Sequence, residues 1–301
     1  MNNILIDRKK LPYGGAEAVV TDYLPSEVKQ FITTSAEQDA LFDMDIRETF
    51  ITQYTQWIQT TKLNNVNGLT NFNIATYSNG TTEAFDKYYL KNSSRRFRCF
   101  RGEYMYHMAA WRNYFPTWAY LDDAPLDKND AVVVSLPFAD TGGEHTKYKT
   151  ILDQCKNLNV PVLVDCAYFG ICAGIDFDFT HPAITDVTFS LSKFLPVAHL
   201  RIGMRLSRID DDDSLLVMNK TNYTNRLGAS VGLQILKKYN PDYIYNKYNA
   251  NQKILCTQLN VTPSNTVIFG IDQDNKYSVY NRGASTNRLN LAKHLAGATN
   301  D

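Results

Sequence analysis

DCAYFGICAGIDFDFTHPAITDVTFSLSKFLPVAHLRIG, residues 165–203, is the stretch on which the fold turns. It opens where the apolar run VPVLV ends in a carboxylate, Asp165. A charge buried at that point is costly unless a cation or hydrogen-bond donors meet it, so Asp165 demands a partner. A second strand-like run, DVTFSLS, closes on Ser190, Ser192 and Lys193. Arg201 follows Lys193 by eight residues, just before Gly203. Hydroxyls, a lysine and an arginine gathered at strand ends make an anion site beside an amine that can act as a nucleophile.

Outward from this stretch the same grammar continues. NIATYS, RRFRCF and AVVVSLPF upstream and HLRIGMRLS downstream are short β-rich runs, and a helix is marked from roughly Lys147 to Asn157. Strands alternating with helices imply an α/β fold with a mostly parallel sheet, whose ligands sit beyond the carboxyl ends of the strands. Ahead of it, Asp45–Thr60 carries Ile46, Phe50, Ile51, Tyr54 and Trp57 or Ile58 at helical spacing, which predicts an amphipathic helix. Asp210 to Asp213 reads as a solvated surface turn rather than a cation site. A helical segment near Ser230 to Tyr239 follows. VIFGID, YSVYNR and RLNLAKHL then read as two strands and a terminal helix or further strand. The chain thus divides into an N-terminal arm and small-domain segment (1–44), a large domain (45–214) and a small C-terminal domain (215–301).

Composition narrows the function classes. With 44% hydrophobic residues among 301, the chain can bury a full core. Lys and Arg number 31 and so do Asp and Glu, so no global field draws nucleic acid or an anionic membrane. Five cysteines without a CxxC pair or metal-like clustering favour reduced thiols, a cytoplasmic setting and no metal site. MNNILIDRKKLPYGG lacks the apolar core of a signal peptide, and no run of apolar residues is long enough to span a membrane.

Taken in order, D-x-A-Y (Asp165, Ala167, Tyr168), S-x-S-K (Ser190, Ser192, Lys193) and R-x-G (Arg201, Gly203) resemble the fold type I pyridoxal 5′-phosphate (PLP) enzymes. The resemblance is to the aspartate aminotransferase branch of the class I/II aminotransferases and covers about residues 45–295. It implies a PLP-dependent transferase fold, with a mostly parallel seven-stranded sheet flanked by helices and a small α+β C-terminal domain. It further implies that Lys193 holds PLP as a Schiff base, that Asp165 pairs with the pyridine nitrogen, and that Tyr168 donates to the phenolic oxygen. Ser190, Ser192, Arg201 and the amides of Gly80, Thr81 and Thr82 would hold the phosphate. The last three stand in SNGTTEAFDKYYL, where a helix N-terminus offers free amides to an anion; the same residues also read as an ordinary capping box with Thr at the cap and Glu83 in the first turn. In RGEYMYHMAAW, Tyr104 matches the aromatic that stacks on the pyridine and His107 the histidine that contacts the aspartate. Arg288 in TNRLNLAKHL matches the arginine that grips the substrate α-carboxylate through two parallel hydrogen bonds, with Arg282 in YNRG as the local competitor.

One element departs from the pattern. The family usually has N-P-T-G after its central strand, whereas SLPFADTGG keeps Thr141 and Gly142 but has Ala139 for Asn and Asp140 for Pro. Either Tyr168 alone handles the phenolic oxygen or Asp140 approaches it through a shifted loop. The implied activity is an aminotransferase working between an α-amino acid and a 2-oxo acid, as a homodimer with its site near the interface. A PLP-dependent lyase or decarboxylase on the same scaffold, or a shortened non-catalytic relative, are the alternatives.

Overall fold

In the computed structural model, which describes residues 16–298, helices and strands alternate in the order the patterning predicts. The described chain runs α1 (Tyr23–Glu37), α2 (Ile46–Gln59), β1 (Asn65–Asn67), β2 (Ile74–Asn79), α3 (Gly80–Lys91), β3 (Arg96–Cys99), α4 (Met105–Tyr114) and β4 (Thr117–Tyr120). It continues through β5 (Asp130–Ser135), α5 (Tyr148–Leu158), β6 (Val162–Cys166), β7 (Asp176–Asp178), β8 (Ile184–Ser190) and β9 (Ile202–Ser207). α6 (Ser214–Lys220), α7 (Arg226–Lys238), α8 (Tyr243–Leu259), β10 (Thr262–Pro263), β11 (Phe269–Asp272), β12 (Asn287–Asn290) and α9 (Ala292–Leu295) complete it.

Seven strands form one sheet in the order β2-β9-β8-β6-β5-β3-β4. β8, β6, β5, β3 and β4 pair in parallel, and β9 runs antiparallel to both its neighbours. The sheet is therefore mostly parallel, as expected. β5 and β6 are buried at every residue, which is why they read as unbroken apolar runs rather than alternating ones. α2 buries Phe50, Ile51, Tyr54, Trp57 and Ile58, the face its spacing predicts, and Trp57 Nε1 donates to Tyr239 O at 2.6 Å.

A second sheet, β10-β11-β12, is antiparallel and pairs Asp272 with Asn287. YSVYNR is not a strand: Ser278–Tyr280 is a single 3₁₀ turn. The Asp272 carboxylate accepts from Tyr277 N at 2.7 Å and from Asn287 Nδ2 at 2.9 Å, folding this segment into the connection between β11 and β12. RLNLAKHL holds both of its expected forms, a strand to Asn290 and then a helical turn from Ala292. Asp210 to Asp213 behave as surface turn residues: Asp213 caps α6 at Leu216 N, Asp211 pairs with Lys91 and Asp212 with Lys220. Among the described residues no acidic, His or Cys group could hold a metal, and no helix is long and apolar enough to cross a membrane. All five cysteines are buried free thiols.

At the far edge of the sheet Arg98 is fully buried. Its guanidinium donates to Asp130 at 2.6 Å and to the carbonyls of Ala119, Tyr120, Ala124 and Pro125, binding the 119–125 segment to the sheet. Burial pushes the Asp130 carboxyl up, but the bonds from Arg96 and Arg98 outweigh it and hold it below the usual range. Removing one partner of such a pair strands the other charge, so Arg98→Ala should cost roughly 3–5 kcal/mol of unfolding free energy by urea denaturation. A loss no larger than that of a surface substitution would show the pair to be solvated.

Candidate active site

β2, β5, β6 and β8 all end at one edge of the sheet, bringing Asn79, Ser135, Cys166 and Ser190 together. Because β9 runs the other way, its beginning lies at that same edge, and Arg201 arrives there. A cavity of about 290 Å³ opens at this point. Nine of the twelve expected site residues line it: Thr81, Thr82, Tyr104, Asp165, Tyr168, Ser190, Ser192, Lys193 and Arg201. Gly80, His107 and Arg288 stand behind this lining.

At one end the groups suit an anion. Gly80 has φ +72°, and a Cβ there would overlap the Arg201 guanidinium, so only glycine fits. Arg201 itself has φ 55°, an uncommon left-handed backbone for a bulky residue, which turns the chain from a 3₁₀ turn into β9. Its Nη2 donates to Asn79 O at 3.0 Å and to Thr82 Oγ1 at 2.8 Å, fixing the cation at the start of α3. A side chain at Gly203 would come within 2.9 Å of the Gly80 backbone, so the two glycines let β9 and α3 approach closely enough for that contact. Ser190 Oγ lies 2.8 Å from Ser192 Oγ and accepts from Ser192 N. The capping reading is half right. Glu83 reaches back to a backbone N–H at 2.6 Å, but the capped residue is Asn79, because the helix begins at Gly80 rather than after a threonine.

Asp165 forms the floor of the cavity. It is 4% exposed, and its Oδ1 accepts from Ala167 N at 3.1 Å and from Thr188 Oγ1 at 3.4 Å. His107 Nε2 is 3.8 Å from Oδ2, held there by a bond from its Nδ1 to the Tyr89 hydroxyl. Tyr104 is partly exposed and meets His107 edge to face, with ring centroids 5.8 Å apart. Lys193 Nζ donates to Ala16 O at 2.5 Å. Burial pulls its ammonium down from the ordinary lysine range, against the charges of Asp165 and Glu17.

The 135–142 turn accounts for the departure from the family's pattern. Asp140 is fully buried and stays out of the cavity lining; its Oδ2 accepts from Thr286 at 2.9 Å, and burial raises its carboxyl. Arg288 is 2% exposed, lies 4.2 Å over the Phe269 ring, donates to the backbone carbonyl of Ala139, and comes within 3.4 Å of the Tyr168 hydroxyl. Arg282, the competitor, does line the cavity, and donates to Glu103 O at 3.0 Å. Ser135, Ala16 and Met105 also line it, and sequence patterning signalled none of them. Ser135 is recognisable only as the last residue of a buried strand.

A depressed lysine presents its neutral amine at lower pH. Lys193 should therefore react with an amine-directed reagent such as trinitrobenzenesulfonate at a pH where surface lysines stay protonated, as read by peptide mapping across a pH series. Reaction that rises in step with the surface lysines would contradict the burial argument.

The family model described as aminotransferase class I and II matches residues 73–280. No curated protein sequence matches the chain. Among solved structures, an aromatic aminotransferase from Pyrococcus horikoshii superposes with TM-score 0.70 at 11% identity, covering 98% of this chain and 94% of that one. An aspartate aminotransferase double mutant from Thermus thermophilus gives 0.68 at 12% identity over 97% and 90%. A PLP-bound C-S lyase from Staphylococcus hominis gives 0.64 at 13% identity over 93% and 87%. At these identities the likeness is one of fold.

Proposed function

Because this chain belongs to the aminotransferase class I and II family, we propose that its cavity works with PLP, the family's cofactor, to move an amino group from an α-amino acid to a 2-oxo acid. The observation that carries this reading is the convergence, on one cavity, of a buried amine, a buried carboxylate and an anion cradle.

The residues fit the cofactor at each of its polar ends. The cradle of Arg201, Thr82, Thr81, Ser190 and Ser192 suits a phosphate, with the first amides of α3 adding their partial positive charge. Among the described residues no Lys or Arg lies within ion-pair distance of Asp165, and His107 Nε2 is 3.8 Å away, which suits a protonated ring nitrogen as its partner. Tyr104 would cover one face of the ring, and the Tyr168 hydroxyl would meet its phenolic oxygen. Lys193 supplies the amine that would hold the cofactor covalently. Bound there, PLP supplies an electron sink for the bond broken at the substrate α-carbon.

The chain's own groups then divide the work. Lys193 Nζ, its basicity lowered by burial, would take the α-proton and return it to the cofactor's imine carbon, two atoms along, a role that suits an amine of lowered basicity. Asp165, fixed by Ala167 N and Thr188, keeps a proton on the ring nitrogen. Arg288, the family-matched arginine although it stands behind the lining, would hold the substrate carboxylate and so orient the α-hydrogen toward Lys193, with Arg282 in the lining as its competitor. A homodimer belongs to the same reading, on the family's account alone.

Borohydride reduction of the PLP-loaded protein followed by peptide mapping should find the label on Lys193; a label on another lysine removes the proposal. With an amino donor and a 2-oxo acid, the amino group should be recovered in the second product. Release of ammonia would select the lyase alternative. Asp165→Ala should lower turnover by several powers of ten, a cost of several kcal/mol in the transition state, while phosphate contacts retain some cofactor. Near-normal turnover would mean that the ring nitrogen is served by another group.

A further inference from the structure

Behind the cavity lies a second buried carboxylate that the proposed mechanism does not use. Glu103 is 1% exposed, and no Lys, Arg or His lies within ion-pair distance of it among the described residues. A carboxyl in such a place is costly unless donors meet it. Ser135 supplies two, its N–H to Oε1 at 2.9 Å and its hydroxyl to Oε2 at 2.5 Å, and Tyr104 N adds a longer contact at 3.4 Å. Burial pushes the Glu103 carboxyl up, against the charge of His107 and these bonds.

The contacts do not end there. Ser135 Oγ, having donated to Glu103, accepts from Ala139 N at 2.8 Å, and the carbonyl of the same Ala139 accepts from Arg288. Ala139 is the residue without a polar side chain where the family's pattern has Asn, and its contact with the guanidinium is made by its backbone carbonyl. A backbone carbonyl is only as well placed as its turn, and this turn is tied to the protein at Ser135. Glu103, Ser135, Ala139 and Arg288 are all buried, and low local dielectric strengthens the bonds among them.

We propose that Glu103 and Ser135 are positioning residues for substrate carboxylate recognition, acting through the Ala139 carbonyl on Arg288. The proposal rests on the reading that Arg288 grips the carboxylate, and its test separates the two. Loss of either residue lets the 136–139 turn shift, and Arg288 loses one of the acceptors that orient its fork. The effect should fall on ligands that carry a carboxylate and spare those that do not. The cofactor's phosphate should be indifferent, because it is held at Arg201 and α3.

The experiment uses the PLP-loaded protein and two ligands that lack an α-hydrogen, so that equilibrium binding is read from cofactor absorbance without turnover. They are 2-methylalanine and tert-butylamine, which differ by carboxylate against methyl. Ser135→Ala, which removes one hydroxyl and leaves the backbone bond to Glu103, should raise Kd for 2-methylalanine by about tenfold, the worth of one good buried hydrogen bond. Kd for tert-butylamine and for PLP should stay unchanged. Glu103→Ala should do the same, and Glu103→Gln, which keeps the acceptor for Ser135 N, should recover part of the loss. In an Arg288→Ala background neither substitution should have a further effect on 2-methylalanine. If Arg288→Ala leaves the preference for 2-methylalanine intact, the carboxylate reading itself fails. If Arg288→Ala abolishes that preference but Ser135→Ala weakens both ligands equally, or its effect adds in full to that of Arg288→Ala, the positioning role is overturned and Glu103 is a support of the fold. Should Glu103→Ala fail to fold, Ser135→Ala and Glu103→Gln decide the matter.

Discussion

A carboxylate buried at the end of the middle strand of a parallel sheet needs hydrogen-bond donors, and Asp165 draws them from the chain on every side. Ala167 N comes from its own turn and Thr188 from the neighbouring strand, while His107 Nε2, on a helix on the other side, stands 3.8 Å away, beyond hydrogen-bond distance. None of these is a full positive charge at contact distance. The edge of the sheet where Asp165 sits is therefore where polar groups concentrate in an otherwise apolar interior, and where a cationic partner gains most.

The anion cradle depends on a different constraint, one of approach. Arg201 reaches the start of α3 because β9 runs against its neighbours, because its own backbone is left-handed, and because Gly80 and Gly203 carry no side chain where α3 and β9 meet. The spacing R-x-G is thus a packing requirement as much as a motif. Cradle, carboxylate and Lys193 share the lining of one cavity, which places an amine beside a site for negative charge and a site for positive charge. Burial lowers the basicity of Lys193, which in the proposed mechanism suits it to proton transfer.

The part of the site next to Arg288 is organised by the turn after β5. There the side chain at position 139 offers no hydrogen bond, and the backbone carbonyl of Ala139 accepts from Arg288. Asp140 turns to Thr286 and stays out of the cavity lining, whereas Tyr168 enters it. Arg282 enters the lining instead of Arg288, although Arg288 stands in the strand with the matching pattern, because the 281–286 loop folds over Glu103 while β12 carries Arg288 behind the Ala139 turn.

What the sequence determined by itself is whatever depends on local periodicity and on residues close along the chain. The buried strands are legible as apolar runs, α2 and α5 as amphipathic spacing, and the edge of the sheet as the place where DCAY and SLSK end their strands. Thr81, Thr82, Lys193 and Arg201 follow, since each is tied to a strand end by a few residues. The tertiary structure alone decided what depends on partners distant in sequence. β4, too short and too mixed to announce itself, is a strand because β3 offers it an open edge. YSVYNR has strand-like composition but becomes a turn, because Asp272 and Asn287 have already paired. Glu103, a lone carboxylate before Tyr104, carries no pattern at all. Its importance arises from Ser135, thirty-two residues away, and hydrogen bonds of that kind leave no trace in spacing.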